Sequence, residues 1–174
     1  MARMARTIHT AQTAQVARTA GTVRTTRTTG MTQTARTART TGMTRGIRNN
    51  NPLNLRHSCS KWLGMCEDQT DRCFVQFNSR LFGYRAAFRT LRTYIQRNYN
   101  TLFKIIRRWA PAADGNNVSA YVDYVARTTG IDPDQVLRFD DKQRMVDLVR
   151  SMAQVESAVI EQRDILERAY DLSN

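Results

Sequence analysis

The sequence predicts a mainly α-helical fold over residues 45–174, with a short extended patch near its start and a disordered repeat in front of it. Three observations predict it. Residues 45–174 hold all six Phe, all six Tyr and both Trp, so only this part can bury a core. From Ser79 onward, apolar residues recur at helical spacing in one segment after another. Asparagine, glycine and proline fall where those runs stop, as caps and breakers do. About 130 residues are enough for one domain with a single core and too few for two.

Residues 1–44 are of another kind: fifteen Thr and seven Arg, with no acidic and no aromatic residue. Arg27-Thr28-Thr29-Gly30-Met31-Thr32 recurs twelve residues later as Arg39-Thr40-Thr41-Gly42-Met43-Thr44. Without apolar periodicity, this low-complexity segment is expected to be disordered. It lacks the amphipathic pattern of a transit peptide. Two readings stay open. An Arg-rich arm would bind nucleic acid or an anionic wall polymer by counterion release, without specificity. Alternatively the tandem repeat is spurious translation upstream of a protein that begins at Met43, and this reading is favoured.

The net charge of +12 divides into +7 from the repeat and +5 from the remainder, where 20 Lys and Arg face 15 Asp and Glu. The folding part is therefore only moderately basic. No secretory signal or membrane-spanning apolar run is present, so the chain is expected to be cytoplasmic when made. Cys59, Cys66 and Cys73 are an odd number at equal spacing, which matches neither a disulfide framework nor close-paired zinc ligands. Free thiols are expected; a zinc site from the three with His57 is the alternative.

The folding part opens on Arg45-Gly46-Ile47-Arg48-Asn49-Asn50-Asn51-Pro52. Asn side chains compete for backbone hydrogen bonds, and proline drives Asn51 out of the helical region, so this is a polar structured loop. Its amides suit a sugar or peptide ligand, or else bond only to their own backbone. Arg72 to Phe77, with Phe74 and Phe77 in a run of β-formers, are the extended patch, read as a strand or a tight irregular turn. The first long helix starts at Ser79, with Leu81, Tyr84, Phe88, Leu91 and Ile95 inward and a stripe of Arg85, Arg89 and Arg92 outward. A second runs from Thr101 through Leu102, Ile105, Ile106 and Trp109 to Pro111. Asn116 or Asn117 caps a third, buried through Val118, Tyr121, Val122 and Val125 and stopped by Gly130. Asp132-Pro133-Asp134-Gln135 reads as the start of a fresh, short helix. The last helices span Asp140 to Asp171 and waver at Glu156-Ser157-Ala158. Glu156 thus borders an apolar stripe, where desolvation would raise its pKa as a general acid requires; a solvated glutamate at a helix bend is the plain alternative.

The ordered set Arg45 to Asn54, Trp62-x-Gly64, Asp71, Phe74-Val75-Gln76-Phe77, Gly83-x-Arg85-Ala86, Ile105 to Pro111, Asn117 and Tyr121 resembles a family of phage and prophage proteins labelled virion or structural protein. The Asn loop, Trp-x-Gly and Phe-x-x-Phe order is also similar to the substrate side of lysozyme-like wall glucosaminidases. Ala153-Gln154-Val155-Glu156-Ser157 resembles the catalytic Glu-Ser-Gly helix of lytic transglycosylases, with Ala158 replacing the glycine. Together these imply a circularly permuted lysozyme-like domain that cleaves peptidoglycan glycan strands. Glu156 would be its acid, and Asp71, with Asp68 or Glu67 as substitutes, a second carboxylate if one is used. Asn49, Asn50, Asn51, Trp62, Tyr84 and Trp109 would bind the sugar, although Trp62 and Trp109 also suit the core. No cofactor or metal enters this chemistry. Two other classes remain: a non-catalytic component that contacts other phage particle proteins, and a nucleic-acid-binding module using Arg85, Arg89, Arg92, Arg107 and Arg108. Virion or cell wall is the implied destination.

Overall fold

The computed structural model describes residues 43–174, so the expected disorder of the repeat lies outside the described residues except at Met43 and Thr44. Six α-helices follow one another: α1 (Arg45–Arg48), α2 (Arg80–Gln96), α3 (Leu102–Trp109), α4 (Val118–Thr129), α5 (Lys142–Ser157) and α6 (Arg163–Asp171). A 3-10 turn at Ala112–Asp114 links α3 to α4. The fold is mainly helical, as the periodicity predicts.

The centre of the core is α5, which buries Met145, Val146, Leu148, Val149, Met152 and Ala153. It lies against α4 on one side and α6 on the other, while α2 closes over α6. Each large apolar side chain removed from water contributes about 1.5–3 kcal/mol. Aromatic contacts fix α2 to α6: Phe88 meets the Tyr170 ring edge-on at 5.4 Å, and Phe139 stacks on its other side at 5.2 Å. The tyrosine stays satisfied because its hydroxyl donates to the main-chain oxygen of Phe139 at 2.6 Å.

Caps stand where the sequence puts them. Thr101 Oγ1 accepts from the Lys104 amide at 3.3 Å, Asn117 Oδ1 from Ala120 at 3.0 Å, and Asp141 Oδ1 from Arg144 at 3.1 Å. Gly130 ends α4 with φ 69°, in the left-handed region that glycine enters freely.

One expected helix is absent. Asp132 to Gln135 make a single turn, in which Asp132 Oδ1 accepts from the Asp134 amide at 2.9 Å. The helix does not propagate because Val136 swings out to bridge Thr101 and the Leu137 amide donates to Asn100 at 2.7 Å. Tertiary pairing overrides a good local start signal.

The extended patch is a set of isolated bridges, Arg56 with Phe74 and Met65 with Phe77; the described residues hold no longer strand. Val75, Phe77 and Ala86 form a small second core under it, covered by Trp62, Met65 and Phe82.

No helix among the described residues is long and apolar enough to cross a membrane.

Candidate functional site

The asparagine loop is held by its own side chains. Asn51, fully buried, donates from Nδ2 to the main-chain oxygens of Leu55 (2.9 Å) and Val75 (2.8 Å) and accepts the Leu55 amide at Oδ1 (2.9 Å). Asn50 donates to the Phe77 main-chain oxygen at 2.9 Å, and Asn49, also buried, to Asp71 Oδ2 at 2.8 Å. These three amides tie the loop to the extended patch. Their donors are thus taken up within the fold, whereas Asn54, the fourth asparagine of the loop, reaches Glu156.

Asp71 is likewise engaged. Arg45 grips it with two nitrogens at 2.6 Å each, and the amides of Cys73 and Phe74 donate to Oδ1 at 2.9 and 3.0 Å. The Arg45 guanidinium holds the Asp71 carboxyl well below the usual carboxylate range, with Asn49 and the two amides adding to the effect. An acid so stabilised as its anion does not deliver a proton at neutral pH. Glu67 and Asp68, the substitutes, are exposed and do not line the cleft described below.

Glu156 is the carboxyl with the opposite electrostatics. It sits at the last turn of α5, half-buried. Asn54 Nδ2 donates both to Glu156 Oε2 and to the Glu156 main-chain oxygen, each at 3.1 Å. The Tyr121 hydroxyl donates to Oε1 at 3.2 Å. Both bonds favour the anion, yet burial outweighs them and pushes the Glu156 pKa up. The Tyr121 phenol, buried against the same carboxylate, is raised well above its ordinary value.

Asn54 lines a cleft of about 580 Å³ whose walls include Trp62, Tyr94, Arg97, Arg108 and Trp109. Trp109 donates its indole N–H to the Leu53 main-chain oxygen at 3.2 Å and meets Tyr94 edge-on at 6.0 Å, so its ring is fixed in the wall. Trp62 is half-buried, with its indole nitrogen sealed off and unpartnered. Tyr121 lines a second groove of about 590 Å³ with Tyr124, Val155 and Ile160. The Glu156 carboxyl is therefore one hydrogen bond from the lining of either groove.

Tyr84 is corrected. It is 0% exposed and packs in the main core, so it reaches no ligand; burial and the nearby Glu161 carboxylate push its phenol up. The zinc alternative also falls, since the described residues place no group of three or more His, Cys, Asp or Glu to hold a metal. His57 instead bonds the Asp71 main-chain oxygen at 2.8 Å, and Cys66 Sγ donates to Asn78 Oδ1 at 3.2 Å.

The sequence reading missed Asn54 and Tyr121 as site residues. Each carried a signal. A tyrosine on a buried helix face needs a partner for its hydroxyl, and a fourth asparagine five residues after the first sits beyond the proline that ends the loop's tight part.

These features define a small helical fold in which burial raises the pKa of one carboxyl, Glu156, bonded to Asn54 in the wall of an aromatic-lined cleft, and similarity supports a phage-associated protein. The chain is 39% identical over 97 residues to Protein P5 of Pseudoalteromonas phage PM2, covering 53% of this chain and 60% of that protein. It thus spans less than two thirds of that relative's length. No family model matches.

Proposed function

We propose that this phage-derived chain cleaves the glycan strands of peptidoglycan with Glu156 as its single general acid, in a lysozyme-like, circularly permuted helical fold. The observation that carries the reading is the half-buried Glu156, its pKa raised by burial, one hydrogen bond behind Asn54 at the head of the cleft. A protonated carboxyl there donates to the glycosidic oxygen as the bond from that oxygen to the anomeric carbon breaks. Tyr121 and Asn54 orient the carboxyl and receive no proton themselves. Trp62 and Trp109 offer apolar ring faces to the sugars.

With Asp71 locked to Arg45, the second step falls to the sugar's own hydroxyl. It attacks the anomeric carbon and returns its proton to Glu156, as in a lytic transglycosylase. The chain would be made in the cytoplasm and act from the virion or at the wall.

A non-catalytic role in the phage particle, contacting other particle proteins, is the second reading. That Glu156 itself is not among the residues lining either groove favours it. To separate the two, the full chain and Glu156→Gln are incubated with purified peptidoglycan and the soluble products are weighed by mass spectrometry. Anhydro-muropeptides from the wild type and none from the variant are expected. No release from either folded protein would leave the particle role.

A further inference from the structure

Six Lys and Arg side chains line two adjoining grooves; Arg56 pairs with Asp114, and the other five have no carboxylate partner among the described residues. Arg97 and Arg108 stand in the cleft; Lys61, Arg85 and Arg89 stand in a neighbouring groove of about 700 Å³. The two share Ser60, Trp62 and Thr93, so they form one path across the surface. Other cations are paired with acids, as in Arg45 with Asp71, Arg80 with Glu161 and Arg163 with Asp147.

Three of the five are also held in place. Arg85 Nε donates to the Leu172 main-chain oxygen at 2.9 Å and Arg89 to that of Ser173 at 3.2 Å, where the chain leaves α6. Each keeps further N–H groups for a ligand. Arg108 lies over the rings of Tyr94 and Tyr99, at 5.1 and 4.6 Å from their centres. Guanidiniums fixed before an anion arrives lose little entropy when it binds.

We propose that this path is the binding track for a carboxylate-bearing glycan, its acid groups held by Lys61, Arg85, Arg89, Arg97 and Arg108 and its sugar rings lying on Trp62 and Trp109. The proposal deepens the reading of Glu156 and rests on it for the identity of the polymer as a glycan. Asn54 lines the same cleft and bonds Glu156, the acid of that reading. A nucleic acid is the competing polyanion for the same cations, and displacement by DNA separates the two.

The test measures binding, so that it stands apart from cleavage. Full-chain Glu156→Gln is sedimented with peptidoglycan sacculi, either native or with their carboxyls capped as amides. Binding to native sacculi is expected to be about tenfold tighter, and to weaken steeply with salt. Arg97→Ala/Arg108→Ala should lose most of that preference while staying folded, with a small fall in melting temperature from the lost Arg108 contacts to Tyr94 and Tyr99. Equal affinity for native and capped sacculi would overturn the proposal, as would displacement by single-stranded DNA at equal charge concentration. Failure of the Glu156 reading looks different: selective binding by the variant with no product released by the wild type.

Discussion

Ala158 takes φ 55° directly after α5, with its amide donating to Gln154 at 3.0 Å. That left-handed position costs an L-residue about 1–2 kcal/mol, and glycine avoids it. The resemblance to a Glu-Ser-Gly helix put a glycine at this same place, so the departure is one of side chain, while the backbone keeps the shape glycine would give. Ala158→Gly is expected to stabilise the fold by about 1 kcal/mol and raise the melting temperature by roughly 3–5 °C. Calorimetry would check it; a fall would mean that Ala158 makes a packing contact worth more than its strain. Glu156, two residues back, shows a second residue-scale balance: two hydrogen bonds favour its anion, and burial outweighs them. Asn54, at φ 51°, is bent into the left-handed region to bring its amide there, a conformation asparagine tolerates better than most residues.

At the scale of elements, close backbone approach decides how the asparagine loop docks. A Cβ on Gly83 would lie 2.1 Å from the Asn50 main-chain oxygen, and one on Gly46 would lie 1.8 Å from Ser157 Oγ. The first neighbour is backbone and cannot rotate away. Gly83→Ala should therefore push the loop off α2 and cost about 3 kcal/mol or more, read from urea midpoints. An unchanged midpoint would mean that the loop can slide along α2. The α4 cap is a smaller effect: Asn117→Ala removes one bond to the Ala120 amide and should cost about 1 kcal/mol, with the same measurement. Helix limits, caps and the break after Ser157 were legible in the sequence because each depends on residues within a turn or two. The short helix expected at Asp132 was misread because its fate rests on Thr101 and Asn100, some thirty residues away.

Across the described residues, Asp71 and Glu156 are carboxylates shifted in opposite senses, while the fully exposed Asp140 is lowered by Arg138; the pH response follows from the two more buried groups. Asp71 is depressed, so the stability it contributes is present above the ordinary aspartate pKa of about 3.9 and is lost as pH falls below it. Glu156 is raised, so its contribution is full below the ordinary glutamate pKa of about 4.3 and is lost as pH rises through the folded value. From these two groups alone, the melting temperature should peak in the mildly acidic range. Asp71→Asn should flatten the acid limb and lower the peak, whereas Glu156→Gln should flatten the limb on the neutral side. A melting curve whose neutral limb is unchanged in Glu156→Gln would remove the case for a desolvated carboxyl.

The sequence by itself determined the helical class, most helix limits, the core faces and the place of Glu156 beside an apolar stripe, because periodicity and capping are local and such a placement is visible in one dimension. Only the tertiary structure decided which polar groups are occupied. The sequence could not separate Asn49, Asn50 and Asn51, which hold the loop, from Asn54, which holds Glu156, since all four are the same residue in one segment. Nor could it show that Asp71 is locked by Arg45, or that Lys61, Arg85, Arg89, Arg97 and Arg108 line adjoining grooves without carboxylate partners of their own. Those facts depend on which distant side chains arrive as partners, and the packing of α2, the loop and the end of α5 sets that.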